Sequence, residues 1–206
     1  RATRPQLIMV GGGHVGLALL RAARLAGFST TLLDTRGEEM IAPAIKAADR
    51  FIQLENFGEA LANTRLPAGA YYVVASYSHA ADGEALLAVV EATRPDVVVM
   101  DVNMAGMDGI TATRLVLERH PEVVVLVLSM VEDDASLAAA IEAKASGYIL
   151  KASTTDQLPH AIRTVAAGGA VFDSRMVERL VHQRTDPVAE RPFPMLTDRE
   201  LEVMFR

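Results

Sequence analysis

Pro95-Asp96-Val97-Val98-Val99-Met100-Asp101-Val102-Asn103-Met104-Ala105-Gly106-Met107-Asp108-Gly109 is the stretch that decides how this chain folds. Val97–Met100 is a short, continuous apolar run that ends in the carboxylate of Asp101 and gives way to a glycine-containing loop. Runs of this kind mark parallel strands covered on both faces. In open α/β sheets, ligands collect beyond the carboxyl ends of the strands, so Asp101 stands where a site forms. A carboxylate at such a strand end can attack a phosphoryl group and become an aspartyl phosphate.

Working outward, similar runs recur at Leu7–Val10, Thr30–Leu33, Arg50–Leu54, Tyr71–Ala75, Val123–Leu128 and Gly147–Leu150. Amphipathic stretches of helix length lie between them, near Val15–Ala26, Glu84–Thr93, Ile110–Arg119, Asp134–Ala145 and Thr155–Ala167. Alternation of this kind predicts an α/β fold with a doubly wound, mostly parallel sheet and right-handed crossovers. The expected form is one continuous sheet of about seven strands in the order 3-2-1-4-5-6-7. A further helix is expected at Ser174–Gln183, capped by Asp173 or Ser174. The proline-rich stretch from Arg184 to Pro194 reads as a linker. Thr197-Asp198-Arg199-Glu200 is a capping box that opens a new helix, where a further domain is expected to begin.

Composition narrows the function classes. The chain has 206 residues, half of them apolar, with a formal net charge of −6 and no cysteine. The negative charge argues against a nucleic acid or an anionic membrane surface as the main partner. Without cysteine there is no disulfide, thiolate chemistry or thiolate-bound metal, and a reducing, cytoplasmic location is expected. No apolar run is long enough to span a bilayer. The histidines show no ligand spacing such as H-x-x-x-H, and no G-x-S-x-G elbow occurs, so neither a metalloenzyme nor a hydrolase is expected.

Gly11-Gly12-Gly13-His14-Val15-Gly16 forms a G-x-G-x-x-G turn between the first strand and its helix. Gly11 permits a tight turn, Gly13 a close backbone approach to a pyrophosphate, and Gly16 close packing of helix on strand. Free N–H groups at the helix start attract phosphates, and Asp34 at the end of the second strand can accept from a ribose hydroxyl. A tight turn without a ligand is the alternative, with His14 a neutral polar cap. Leu7–Gly16, Leu25-Ala26-Gly27-Phe28, Leu33-Asp34-Thr35-Arg36 and Ser76-Tyr77-Ser78-His79-Ala80-Ala81-Asp82 resemble the Rossmann domain of xanthine dehydrogenase accessory proteins (XdhC/CoxI type). The resemblance covers about residues 5–88. It implies a dinucleotide, NAD(P) or FAD, held by Gly11, Gly13, Gly16 and Asp34, and a part in maturing a molybdenum-cofactor enzyme. Ser76-Tyr77 replaces the usual Thr-His of that family.

Two further strand ends fall in line with Asp101. Val123–Leu128 runs into Ser129, and Gly147-Tyr148-Ile149-Leu150 runs into Lys151. Taken singly, a strand-end Asp can be a cap, a Ser a turn residue and a Lys a solvated charge. Together with the loop Met104-Ala105-Gly106-Met107-Asp108-Gly109 they resemble a response-regulator receiver domain. That resemblance implies Asp101 as phosphoacceptor, Ser129 and Lys151 as phosphoryl contacts, Tyr148 as switch aromatic, and Mg²⁺ held by Asp101 and the Asn103 backbone carbonyl. Ala145–Lys151, Ala161–Gly169 and Leu196–Val203 are similar to regulators of the NarL/LuxR type, whose DNA-binding helix-turn-helix begins at the last of these. The partners implied are a sensor histidine kinase or a small phosphodonor, with DNA reached only through that helix-turn-helix, no membrane, and homodimerisation left open.

The receiver pattern is incomplete. Receivers carry an acidic pair at the end of their first strand, which holds the Mg²⁺ that neutralises the incoming phosphoryl group. Here the corresponding strand ends are Val10-Gly11-Gly12-Gly13 and Ala75-Ser76-Tyr77-Ser78-His79, and Ala105 stands where proline is usual. The expectation is therefore an incomplete Mg²⁺ site and a poorly phosphorylated Asp101. The two resemblances meet near Ala80–Leu87, so the chain reads as a chimera, with a Rossmann-like half at 1–83 and a receiver-like half at 84–172. A helix and linker follow at 173–195 and the helix-turn-helix start at 196–206. Three functions stay in play: a non-enzymatic phosphoacceptor module, a nucleotide-binding accessory domain, and a folded hybrid in which neither half acts.

Overall fold

The computed structural model of the chain describes residues 4–75, 79–104, 107–130, 132–173 and 177–178, with the backbone alone described at 79–81 and 153–156. The expected helix at Ser174–Gln183 and the capping box at Thr197–Glu200 lie outside this range, apart from residues 177 and 178. Strands and helices alternate along the chain: β1 (Gln6–Val10), α1 (His14–Leu25), β2 (Ser29–Asp34), α2 (Glu38–Ala47), β3 (Arg50–Gln53), α3 (Glu59–Ala62) and β4 (Tyr71–Val74). Then come α4 (His79–Thr93), β5 (Val97–Asp101), α5 (Gly109–Arg119), β6 (Val124–Ser129), α6 (Asp134–Glu142), β7 (Gly147–Leu150) and α7 (Thr154–Ala166), with a single 3₁₀ turn at Lys151–Ser153 before α7. All strand pairings are parallel, as their continuous apolar sequences require.

Two helices escape the apolar periodicity. α2 carries Pro43 in its interior, and the backbone is non-helical at Ile41 (φ −131°, ψ 24°). Pro43 thereby falls at the start of a second short helical segment, where a missing N–H costs nothing. α3 has four residues, too few to display a repeat.

The expected single sheet of seven strands is not formed. The strands make a four-stranded sheet in the order β3-β2-β1-β4 and a three-stranded sheet in the order β5-β6-β7, and β4 does not pair with β5. The division falls at α4. A helix laid over a continuous β4–β5 ladder needs one apolar stripe. α4 is instead apolar on two faces. Its Ala85 and Val89 pack with Ile8, Val10, Leu33 and Leu61 in the core of the first sheet. Its Val90 packs with Val98, Met100, Val116 and Val127 in the core of the second. The helix is wedged between two cores, and each sheet buries its own side chains against it. On their other faces, β1 and β2 are covered by α1 and α2, and β6 and β7 by α7.

Candidate phosphoacceptor site

The second sheet brings three carboxyl-terminal strand ends into step. Asp101 is the last residue of β5 and pairs in register with Leu128, one residue before Ser129. Ser129 closes β6 and pairs with Leu150, one residue before Lys151. The stagger of one residue per strand follows from the ladder register and sets the three residues at successive strand ends along one rim of the sheet.

Behind Asp101 the chain folds tightly. The Val102 N–H donates to the Leu128 carbonyl (2.9 Å), and the Gly109 N–H returns to the Val102 carbonyl (3.0 Å). Gly109 is essential to this return, since a Cβ there would lie 2.0 Å from the Asp101 carbonyl oxygen. Asp108 caps α5, accepting from the Ile110 and Thr111 N–H groups and from the Thr111 hydroxyl. The Thr111 hydroxyl bond, followed by the backbone bonds, holds the Asp108 carboxyl below its usual range. Gly109 and Asp108 lie in the same stretch as Asp101, and their part is structural rather than chemical. A glycine directly after a capping acid was the available signal.

The Asp101 carboxylate is about one-third exposed and has two partners. Oδ1 accepts from the Asn103 N–H (3.0 Å), and Oδ2 takes the Lys151 ammonium at 2.5 Å. Lys151 reaches across from the end of β7, so the acceptor and the cation are brought together from strands two apart. Ser129 is placed differently. It is 3% exposed, and its hydroxyl is hydrogen-bonded to the phenol of Tyr148 in β7. Tyr148 is 2% exposed and also bonds Ser136 of α6. Burial pushes the Tyr148 phenol above its usual value, against the lowering effect of the Ser129 bond. The structure thus joins Asp101 to Lys151 and Ser129 to Tyr148, as two neighbouring pairs.

For Mg²⁺ the residues present do not fit. An octahedral all-oxygen shell needs hard donors. Asp101 and the Asn103 carbonyl are the two expected, and one Asp101 oxygen is already held by Lys151. Among the described residues, no group of three or more His, Cys, Asp or Glu side chains could hold a metal.

The glycine turn of the first sheet has the expected backbone. Gly11 takes φ +105°, and its N–H donates to the Leu33 carbonyl (2.8 Å). A Cβ on Gly16 would lie 2.0 Å from the Gly11 carbonyl oxygen, whereas Gly13 opens onto free space. Gly13 is the N-cap of α1 and no side chain caps it, so His14 does not serve as the expected cap. Asp34 is fully engaged by protein donors. Its side chain is fully buried, with Oδ2 accepting from the Gly12 N–H (2.7 Å) and Arg36 Nη2 (2.7 Å). Oδ1 accepts from the Arg36 N–H (2.8 Å) and Arg36 Nε (3.0 Å). Burial acts to raise the Asp34 carboxyl, and the Arg36 and Gly12 bonds outweigh it, so the group lies below its usual range. With four donors in place, this carboxylate does not fit a ribose hydroxyl, although the space at Gly13 fits a phosphate.

Two protein families match the chain over overlapping ranges. The response regulator receiver domain family matches residues 60–163, and the XdhC Rossmann domain family matches residues 7–101. The two ranges share β4, α4 and β5. The transcriptional regulatory protein DegU of Brevibacillus brevis is 35% identical over 60% of this chain and 59% of its own length. The oxygen regulatory protein NreC of Staphylococcus epidermidis is 40% identical over 61% of each chain. The chain therefore spans about three-fifths of the length of the curated relatives it matches. The fold is that of a LuxR-family two-component response regulator from Aurantimonas sp. SI85-9A1, with a TM-score of 0.50 at 23% identity over 88% of this chain and 99% of that one. With strand ends in this register, and with the receiver match spanning half of its length, the chain belongs to the response regulator receiver domain family.

Proposed function

We propose that the chain is a phosphoacceptor module of a two-component phosphorelay, with Asp101 as the acceptor. The observation that carries this is the Lys151 ammonium lying against Asp101 Oδ2 across the strand ends. In the proposed step an Asp101 carboxylate oxygen attacks the phosphorus of a phosphohistidine or of a small acyl phosphate. The new O–P bond forms as the bond from phosphorus to the leaving nitrogen or oxygen breaks, and that atom departs with the electron pair. The Lys151 ammonium neutralises charge on the acceptor and then on the phosphoryl oxygens. Ser129 contacts the phosphoryl group by giving up its bond to Tyr148, which makes the Tyr148 ring the reporter of phosphorylation. The partners are a sensor histidine kinase or a small phosphodonor. DNA is reached through the helix-turn-helix whose opening Leu196–Val203 resembles. The chimeric organisation, with a Rossmann-like part at 1–83 and a receiver-like part at 84–172, belongs to the same proposal.

The test is incubation with acetyl phosphate, with and without Mg²⁺, followed by intact-mass analysis. The expected result is slow, Asp101-dependent gain of one phosphoryl group, absent in Asp101→Asn. No gain in the wild type under either condition, or equal gain in the variant, sinks the proposal.

A nucleotide-binding reading of the first sheet, as in XdhC-type accessory domains, is favoured by one observation: the open space at Gly13 beside the free N–H groups that begin α1. It requires Arg36 to release Asp34, or the ligand to bind without a ribose acceptor. Thermal stabilisation by NAD(H), NADP(H), FAD or ATP, lost in Gly13→Val, supports it. Gly13 has φ −69° and a Cβ there meets nothing within 4 Å, so valine there obstructs a ligand and little else.

A further inference from the structure

The structure assigns a second ligand site, for a small apolar carboxylate, on the face of the first sheet opposite α1 and α2 and toward the amino ends of its strands. Parallel register sets Ile8, Thr31 and Arg50 in one row across β1, β2 and β3, with Leu33 and Ile52 in the next row up. The upper part of this face is covered by α3 and α4 through Leu61, Ala85 and Val89. α3 ends at Ala62, so the lower rows are left to the segment between α3 and β4. That segment folds over them as a lip, and the result is a groove of about 760 Å³ with Leu66 and Pro67 facing the sheet residues. The lip is tied down at both ends. The Tyr72 hydroxyl of β4 donates to the Pro67 carbonyl (2.7 Å), and the Thr64 hydroxyl donates to the Ala60 carbonyl (2.8 Å). The volume is in the range that small-molecule sites occupy.

Charge decides the ligand. Arg50 enters the groove from the sheet and Arg65 from the lip, and both are exposed. Neither has a hydrogen bond or ion pair among the described residues. Asp49 is the one acid on the rim, and its charge is already met. It accepts from the Thr30 N–H (2.9 Å) and the Thr30 hydroxyl (3.2 Å) and pairs with Arg24 (3.6 Å). Two unspent guanidiniums above an apolar floor call for an anion on an apolar body. A planar guanidinium matches a carboxylate in a bidentate fork, while the partly exposed Ile52, Leu66 and Pro67 take the hydrocarbon.

Octanoate is the probe, titrated into the full chain by calorimetry, with 1-octanol and inorganic phosphate as the uncharged and body-less controls. Saturable one-to-one binding of octanoate is expected, with both controls weaker by about tenfold or more, the order of one lost charge-assisted contact. Arg50→Gln with Arg65→Gln is expected to weaken octanoate by about tenfold or more. Ala68→Glu, which sets an opposing charge on the exposed lip without removing either arginine, is expected to weaken it in the same direction. Both variants change exposed positions, so their circular dichroism should match the wild type. Octanoate that does not saturate, that binds the arginine double variant as tightly as the wild type, or that phosphate equals in affinity overturns the assignment.

Discussion

Lys151 and Asp101 sit about one-third exposed at the end of the second sheet, and that exposure separates what their contact does for stability from what it does for chemistry. Ion pairs this open contribute no more than about 1 kcal/mol. Lys151→Ala should therefore leave the urea midpoint nearly unchanged while slowing Asp101 phosphorylation by acetyl phosphate about tenfold or more, the scale expected for one charge-stabilising contact. Equal rates in the two proteins would remove Lys151 from the mechanism. Asp34 is the opposite case, because its charge is buried and met by Arg36 and the Gly12 N–H. Breaking such a pair costs about 3 kcal/mol. Its carboxyl lies below the usual range in the folded chain, so the unfolded chain takes up the proton first as pH falls. The stabilisation is fully present above the unfolded value of about 4 and is lost as pH drops through the folded value. Asp34→Asn should lower the urea midpoint at neutral pH, and the gap to wild type should close below about pH 4. A gap independent of pH would show that the ionised carboxylate is not its source.

At the scale of elements, the two halves use one device to join a strand to the helix that follows. In each, a glycine in the first turns of the helix lies where a Cβ would come within 2.0 Å of a strand-end carbonyl, Gly16 on Gly11 and Gly109 on Asp101. Both obstacles are backbone atoms, which cannot swing aside, so the helix must shift outward. Gly109→Ala should cost about 1–3 kcal/mol, as overpacking does, and should also slow phosphorylation, because the displaced carbonyl belongs to the acceptor. Gly16→Ala should carry a similar stability cost with no effect on phosphorylation. Urea midpoints and acetyl phosphate kinetics on both variants check the contrast. Elements of this kind were legible because their signals are local. The strands are continuous apolar runs, and glycines sit where the turns need them. α2 was hidden by Pro43, which reads as a helix stop unless the chain kinks at Ile41 two residues earlier. The engagement of Asp34 was hidden because nothing in the local sequence marks Arg36, two residues on, as folding back onto its carboxylate. The inward turn of Ser129 depends on Tyr148 being buried beside it, which strand register alone does not specify. The division of the sheet lies furthest from local reading, since it depends on which core each face of α4 meets.

At the scale of the whole molecule, α4 is the element shared by both hydrophobic cores. Val89 is buried in one and the adjacent Val90 in the other. Neighbouring residues on a helix point about a quarter-turn apart, so one rigid helix holds both contacts only while both sheets are folded. Among the described residues no ladder hydrogen bonds join the sheets, since β4 and β5 are unpaired. Cooperativity between the two sheets is therefore expected to pass through this helix, whose Gly83 also packs against Met107. Deleting methyl groups from a buried valine costs about 1–3 kcal/mol. If α4 couples the cores, Val90→Ala should lower amide protection in β1 and β2 of the first sheet as much as in β5 and β6 of the second, although Val90 packs in the second core. Val89→Ala should give the same pattern from the other side. Hydrogen exchange followed by mass spectrometry on peptides from β1 and β6 reads the two sheets separately. Loss of protection confined to the sheet that each valine touches would mean that the two halves fold independently, with α4 bound to each without linking them.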